Sequence, residues 1–572
     1  MGAGLPDTRR HKTFEESAMS DRHFAFWPEH ATRHLHVPQT HLYRNVEVSA
    51  MRFPDKPFLI FYDTPLSFAQ FHDETERIAG YLQRACGVKK GDRVLLDMQN
   101  SPQFMLAYYG ILRADAVVVP VNPMNLTKEL AHYARDSGAR VAFVAQELLP
   151  RMGPLLGQAL DHLIVATYSD YATAPTDLPV PDFVSAPRVA LAQRGAVAWA
   201  DVLAANLRPG PIQAGPDDLA VMPYTSGTTG LPKGCMHTHR TTMYNVAAGS
   251  IWWKANPGQV GMAILPLFHV TGMQAGMNGP LYTGSTIVIL PRWDRDACAL
   301  CVQKHGVYGL ALITAMVIDF VSNPRLPEYD LSSLRRIAGG GAAMPKAVAH
   351  ALEHTLGLRY GEGYGMTETM AATHSNPPDA PKAQCLGVPL FDVDARVVDP
   401  ATLQELPPGE VGEIVVHGPQ VMLGYWNQPE ASAQAFVEID GKRFLRTGDL
   451  GTTDEDGYFF FVDRLKRMIN AAGFKVWPAE VEALLYQHPA VQEACVIAAM
   501  DPRRGETVKA VIVRKPGAAG EVSEQQIIDW SHEHMAAYKV PRIVEFVDSL
   551  PKSGTGKVMW RELQERERRN AT

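Results

Sequence analysis

Cysteine is scarce in this chain: 6 residues among 572, at positions 86, 235, 298, 301, 385 and 495. That is too few and too dispersed for the disulfide framework of a small secreted domain, and it fits a reducing cytoplasmic compartment. The nearest approach to a metal motif, Cys298-Ala-Leu-Cys301 with His305, lacks a second ligand pair at zinc spacing, so two packed helix thiols are expected there. Long apolar runs are missing too. The stretch 105–121 is interrupted by Arg113 and Asp115, and no run reaches the roughly 18 residues that a membrane span needs. Residues 1–20 hold Asp7, Glu15 and Glu16 without an apolar core, which reads neither as a signal peptide nor as an acid-poor transit peptide. Positive charge is not in excess either: 54 Lys plus Arg against 61 Asp plus Glu leaves a formal net charge of −7, which argues against bulk binding to nucleic acid. What remains is ordinary globular composition, 46% hydrophobic and 20% charged, in a chain long enough for roughly three or four average domains.

Between residues 59 and 221, short apolar runs at 94–96, 116–121, 141–144 and 163–166 alternate with amphipathic stretches of helix length such as 68–85. This rhythm predicts layered α/β structure with largely parallel sheets. It resumes between 263 and 416, with buried strands expected at 286–290 and 307–312. The texture changes after 458–463. Arg464, Lys466 and Arg467 precede Pro478, which stands where a helix over 479–487 would begin. Strands at 494–499 and 508–513 and a polar helix near 523–535 are expected to follow. The predicted organisation is a large multi-subdomain body over 1–464 and a small, mobile α+β unit over 465–572.

The strongest local signal is Tyr224-Thr-Ser-Gly-Thr-Thr-Gly-Leu-Pro-Lys-Gly234. Gly227, Gly230 and Gly234 permit tight, close-approach backbone. The hydroxyls of Thr225, Ser226, Thr228 and Thr229 can donate to phosphate oxygens, and Lys233 adds a positive charge. The loop suits a polyphosphate, yet it is not a Walker A loop, because Gly-x4-Gly-Lys-Ser/Thr is absent. The stretch resembles the phosphate-binding loop of the adenylate-forming superfamily, which includes acyl-CoA synthetases, firefly luciferase and peptide-synthetase adenylation domains. Further motifs follow in that family's order over nearly the whole chain.

By this resemblance, Gly363-Tyr-Gly-Met-Thr-Glu368 serves the nucleotide: Tyr364 lies by the adenine, Thr367 meets the α-phosphate, and Glu362 and Gly365 complete the ATP contacts. Glu368 with Thr228 would hold Mg2+, and one carboxylate suffices because an ion bridging phosphates takes few ligands from protein. In Arg446-Thr-Gly-Asp449, the aspartate would accept both ribose hydroxyls with its two oxygens, and Arg464 would contact the ribose. Gly339, Gly340 and Gly341, with Ala342 and Ala343, match the segment lining the adenine and the acyl tunnel, where absent side chains would let a base and an acyl chain lie on backbone. His269 matches a position beside the acyl pocket, a packed histidine being the competing reading. Met273 falls where some long-chain members carry a bulky aromatic gate, so a gated long-chain tunnel is not expected. His237 and His239 read as structural. Lys466 corresponds to the hinge and Gly473 to the passage of the pantetheine arm of CoA. Lys557, in Pro551-Lys-Ser-Gly-Thr-Gly-Lys557, corresponds to the lysine that reaches the reacting carboxylate and α-phosphate, where an ammonium offsets developing charge. Asn470 and Lys475 depart from the Lys and Gln of many plant-type relatives and receive no role.

The resemblance implies an AMP-forming acyl-CoA ligase whose substrates are a carboxylic acid, ATP and CoA. Lys557, Thr228, Glu368 and Lys233 would carry adenylate formation, and the small unit would turn about Lys466 before CoA attacks. A medium- to long-chain fatty acid is the expected substrate. An aryl or other small acid stays open, as does a stand-alone adenylating enzyme serving a carrier protein. The family allows a homodimer, which no residue here requires.

Overall fold

Strands covered on both faces read as unbroken Val, Ile and Leu runs, as Arg93–Asp97, Val117–Pro120 and Thr286–Ile289 do. The computed structural model describes residues 22–225, 232–341, 344–471, 474–501, 505–515, 517, 522–553 and 557–570. One sheet has seven strands in the spatial order His237–Thr238, Leu219–Val221, Val117–Pro120, Arg93–Asp97, Val141–Ala145, His162–Ala166 and Ala196–Ala198, parallel except at the first pair. The other has nine: Val388–Pro389, Ala371–Ser375, Tyr360–Met366, Arg336–Gly340, Gly309–Ala311, Val260–Ala263, Thr286–Ile289, Pro57–Phe61 and Thr64–Ser67. Its six strands from Tyr360–Met366 to Pro57–Phe61 run parallel, as the alternating pattern predicts.

The expected amphipathic helix runs Phe68–Arg84 and is closed at its start by a reciprocal capping box between Ser67 and Gln70. Its apolar face, with Phe71, Ile78 and Leu82, is fully buried. Cys298 and Cys301 are buried on the helix Arg295–His305. Among the described residues no three His, Cys, Asp or Glu converge as a metal cage, and no helix is long and apolar enough to cross a membrane.

A third, antiparallel sheet holds Asp394–Val398, Gly412–His417, Lys442–Thr453, Phe436–Ile439 and Phe459–Arg464. The smaller C-terminal part has its own sheet, with Ile469–Ala471, Phe474–Val476, Val491–Asp501, Gly505–Arg514 and Ile543–Val547, and its own core around Val481, Leu485, Val496, Ile512 and Ile527. Pro478 opens the helix Pro478–Leu485, and Ser523 caps the helix Glu524–His534.

Asn100, just past the strand Arg93–Asp97, joins the two large sheets. Its buried amide donates to the Leu265 carbonyl at 3.0 Å and its oxygen accepts from the Leu267 amide at 2.9 Å. This fixes the turn that leads to His269. An Asn100→Ala variant strands those backbone groups, so a stability loss of about 2 to 3 kcal/mol is expected in a denaturant titration; a shift near zero means the turn holds without the amide.

Candidate active site

The turn Thr367–Thr369 follows the strand Tyr360–Met366 and is closed by disfavoured backbone at the two residues after it. Met370 has φ 48° and Ala371 φ 89°, a region that side-chain-bearing residues avoid and that persists only where neighbours enforce it. The enforcement is visible. Asn245 donates to the carbonyls of Thr369 (3.0 Å) and Met370 (2.8 Å), and the Thr369 hydroxyl donates to the Ala371 carbonyl (2.7 Å). His237 Nε2 lies 2.8 Å from the Thr367 carbonyl. Burial lowers the His237 pKa to about 4, so the neutral ring donates from Nε2. His239, lowered to about 3 mainly by burial, accepts from the Leu42 amide. Gly365 is required here because a Cβ would stand 1.8 Å from the Ala371 oxygen. The product of this scaffolding is a fixed, buried Glu368.

Tyr425, which the motif reading did not single out, organises the phosphate side. Its hydroxyl donates to Glu368 Oε1 at 2.9 Å, and its ring lies 5.0 Å from the Lys233 ammonium. The segment holds its place by backbone pairing: Met236 donates to the Gly424 carbonyl and Trp426 to the Gly234 carbonyl. Lys233 in turn pairs with Thr225, closing the base of the phosphate loop. Ser226, Gly227, Thr228, Thr229 and Gly230 lie outside the described residues, as do Ala342, Ala343 and Gly473. The one sequence cue to Tyr425 is its place in a Gly-Tyr-Trp cluster, and nothing in sequence spacing joins residue 425 to 368.

Opposite, Asp449 and Arg464 are direct cross-strand partners. The buried Asp449 carboxylate accepts from the Tyr364 hydroxyl at 2.8 Å and faces Arg464 Nε at 3.0 Å. Lys557, from the C-terminal part, reaches this group: a Cβ on Gly341, whose φ is 92°, would lie 3.1 Å from Lys557 Cε. Burial first, then Arg464, lowers the Lys557 pKa against the pull of Asp449 and Glu368. His269 feels the same ammonium and, chiefly through burial, falls to about 3. Its Nδ1 accepts from the Thr271 amide at 3.3 Å and caps the helix Val270–Met273.

Lys233, His269, Tyr364, Glu368, Tyr425, Arg464 and Lys557 border a cleft of about 2450 Å³ that both parts of the chain line, with Lys466 on its wall. Three expectations are revised. Gly339 and Gly340 border the cleft, but their lack of a side chain serves strand packing: a Cβ would stand 2.0 Å from the Leu312 oxygen or 2.2 Å from the Gly363 oxygen. Met273, expected in the acyl pocket, is fully buried with the Tyr108 hydroxyl at its sulfur, and Val270, Thr271 and Gln274 border the cleft instead. Glu362, expected at ATP, is buried between Gly361 and Gly363, which are the two that reach the cleft. Asn470 is exposed, and its backbone N–H donates to the Glu506 carboxylate.

Asp463 was not anticipated either. Fully buried, it accepts from the Ala479 amide at 2.7 Å and so ties the last strand of the third sheet to the first helix of the C-terminal part.

Burial raises Glu362 from 4.5 to about 8. The native state therefore keeps a proton that the unfolded chain releases, and this group's effect on stability worsens as pH climbs from about 4.5 to about 8. Glu362→Gln removes that dependence. Its stability relative to wild type is expected to rise by about 1 kcal/mol or more between pH 5 and 8 in paired denaturation curves; a constant difference would mean that Glu362 ionises normally.

Comparison with known proteins agrees with this geometry. Residues 46–426 match the AMP-binding enzyme family, and residues 480–557 match the AMP-binding enzyme C-terminal domain. The chain is 34% identical to a long-chain-fatty-acid–CoA ligase of Bacillus subtilis, over 96% of this chain and 98% of that protein. It is also 34% identical to a feruloyl-CoA synthase of an Amycolatopsis species, over 88% and 94% of the two chains. Among solved structures, an anthranilate CoA ligase in complex with anthranoyl-AMP superposes with a TM-score of 0.80 at 27% identity, covering 95% of this chain and 99% of that one. With both family regions present in order and relatives matched nearly end to end, this chain belongs to the AMP-binding enzyme family.

Proposed function

We propose that this chain is an AMP-forming acid–CoA ligase that activates a medium- to long-chain aliphatic acid with ATP and passes the acyl group to CoA. The observation that carries the reading is the approach of Lys557 to Glu368, Asp449 and Arg464 across the boundary between the two parts of the chain. Adenylate formation joins two anions: a carboxylate oxygen attacks the α-phosphorus and pyrophosphate leaves. Positioning and charge neutralisation therefore supply most of the rate. The Lys557 ammonium is the mobile cation for that step. Asp449, oriented by Tyr364 and Arg464, is the acceptor for the ribose hydroxyls. Lys233, seated over Tyr425, and Thr228 serve the phosphates.

Glu368 suits Mg2+, since it is a buried oxygen donor whose carboxyl is raised by desolvation and which, among the described residues, has no cationic side-chain partner at hydrogen-bond distance. Bound with ATP, the ion would offset charge on the leaving pyrophosphate. His269, neutral at working pH, acts by shape and hydrogen bonding beside the acyl end. For the second step, in which the CoA thiol attacks the adenylate carbonyl and AMP departs, we place the domain boundary at 464/465 and the pivot at Lys466, with CoA passing Gly473.

The aliphatic reading rests on depth. Past His269 the cleft continues along the helix His239–Trp252, where a Cβ on Gly249 would meet nothing within 4 Å. It is bounded on the other side by Gly261, Gly309 and Gly361. An aryl acid of one ring needs no such extension. All six cysteines are unpaired, which supports a cytoplasmic enzyme.

Lys557→Ala is expected to cut acid-dependent pyrophosphate release about 100-fold or more while supplied acyl-adenylate still becomes acyl-CoA within about 10-fold of wild type; equal loss of both steps overturns the assignment. Tyr425→Phe removes a hydrogen bond that lowers the Glu368 pKa. The acid limb of kcat/KM is therefore expected to move upward by about half a pH unit or more, and an unmoved limb would take Tyr425 out of the site.

A further inference from the structure

The far end of the extended cleft is not apolar. Ser250, Gln259, Ser285 and Tyr308 border it, and so does Arg336, on the first residue of the strand Arg336–Gly340. Arg336 is an unusual wall for a fatty-acid tail. Its Nη1 is buried with no hydrogen-bond partner, and among the described residues no carboxylate faces it; Tyr308 is the one ionisable group acting on it. The guanidinium stacks on Trp253, 4.9 Å from the ring centroid, and a Cβ on Gly309 would crowd its Nε at 3.3 Å. Stacking on an aromatic face returns less than the desolvation of an unpaired guanidinium removes. A half-buried guanidinium with a buried, unpartnered nitrogen, fixed in a ligand cleft, calls for an anion supplied by the ligand.

The position also sets a length. The strand Arg336–Gly340 ends one residue before Gly341, the glycine against Lys557, and spans roughly 13 Å at about 3.3 Å per residue. A medium-chain acid with its reacting carboxylate beside Lys557 reaches the guanidinium with its other end.

We propose that Arg336 closes the distal end of the acyl site and selects acids carrying a second carboxylate there, α,ω-dicarboxylic acids of medium length. The proposal rests on the acid–CoA ligase reading above and narrows its substrate class. Arg336 forms a planar, two-point contact with the distal carboxylate while Trp253 holds the guanidinium plane. A methyl-ended chain of the same length leaves the cation buried and unpaired, so discrimination arises as much from rejecting the monoacid as from binding the diacid.

The test compares kcat/KM for dodecanedioate and dodecanoate, read as acyl-CoA formed, in wild type, Arg336→Leu and Arg336→Lys. The readout is the diacid-to-monoacid ratio within each protein, in which the fraction of folded enzyme cancels. Wild type is expected to favour the diacid about 10-fold or more, Arg336→Leu to lower the ratio by roughly 100-fold, and Arg336→Lys to fall between them. A wild type that prefers dodecanoate, or a ratio that Arg336→Leu leaves unchanged, overturns the diacid assignment and leaves the ligase standing. Absence of pyrophosphate release with every aliphatic and aryl acid overturns the ligase reading itself, and this assignment with it.

Discussion

The strand pairing that sets Asp449 across from Arg464 is the contact on which the rest of the site depends. It fixes a buried carboxylate between a phenol and a guanidinium. One residue before Arg464, Asp463 accepts from the Ala479 amide at the start of the first C-terminal helix. The same strand therefore anchors the nucleotide side and carries the register by which the C-terminal part brings Lys557 over Gly341.

Around that pairing the protein gathers opposite charges: Asp449 and Glu368 are buried, while Arg464 and Lys557 keep contact with solvent. Lys557 and Arg464 repel one another and are both drawn to Asp449 and Glu368, so the pKa of Lys557 falls while Glu368 rises chiefly by desolvation. The left-handed backbone at Met370 and Ala371 serves the same site: strain held by Asn245, Thr369 and the bare Gly365 keeps Glu368 from relaxing away from the cleft.

The acyl side is governed by subtraction. Gly339 and Gly340 are bare because neighbouring strands approach them, and the cleft beyond His269 is walled by further glycines and closed by a cation. Small residues leave the cleft open where side chains would otherwise fill it, and Arg336 places a guanidinium on its border.

The alternation of apolar runs and amphipathic stretches determined the layered α/β fold, because the central strands, such as Val117–Pro120, Val141–Ala145 and Thr286–Ile289, are buried throughout and leave an unbroken hydrophobic signature. Motif chemistry likewise marked Glu368, Asp449, Arg464 and Lys557, since phosphates and ribose demand particular donor and acceptor groups at short spacing. What only the tertiary structure decided are the partnerships between distant segments. Tyr425 reaches Glu368, Asn100 fastens the turn before His269, and Asp463 grips a helix that begins beyond the hinge. Met273 and Glu362 sit on apt motifs yet face away from the cleft. Whether Arg336 is a solvated charge or an unpaired one cannot be read from its neighbours in sequence, because burial is a property of what packs against a strand.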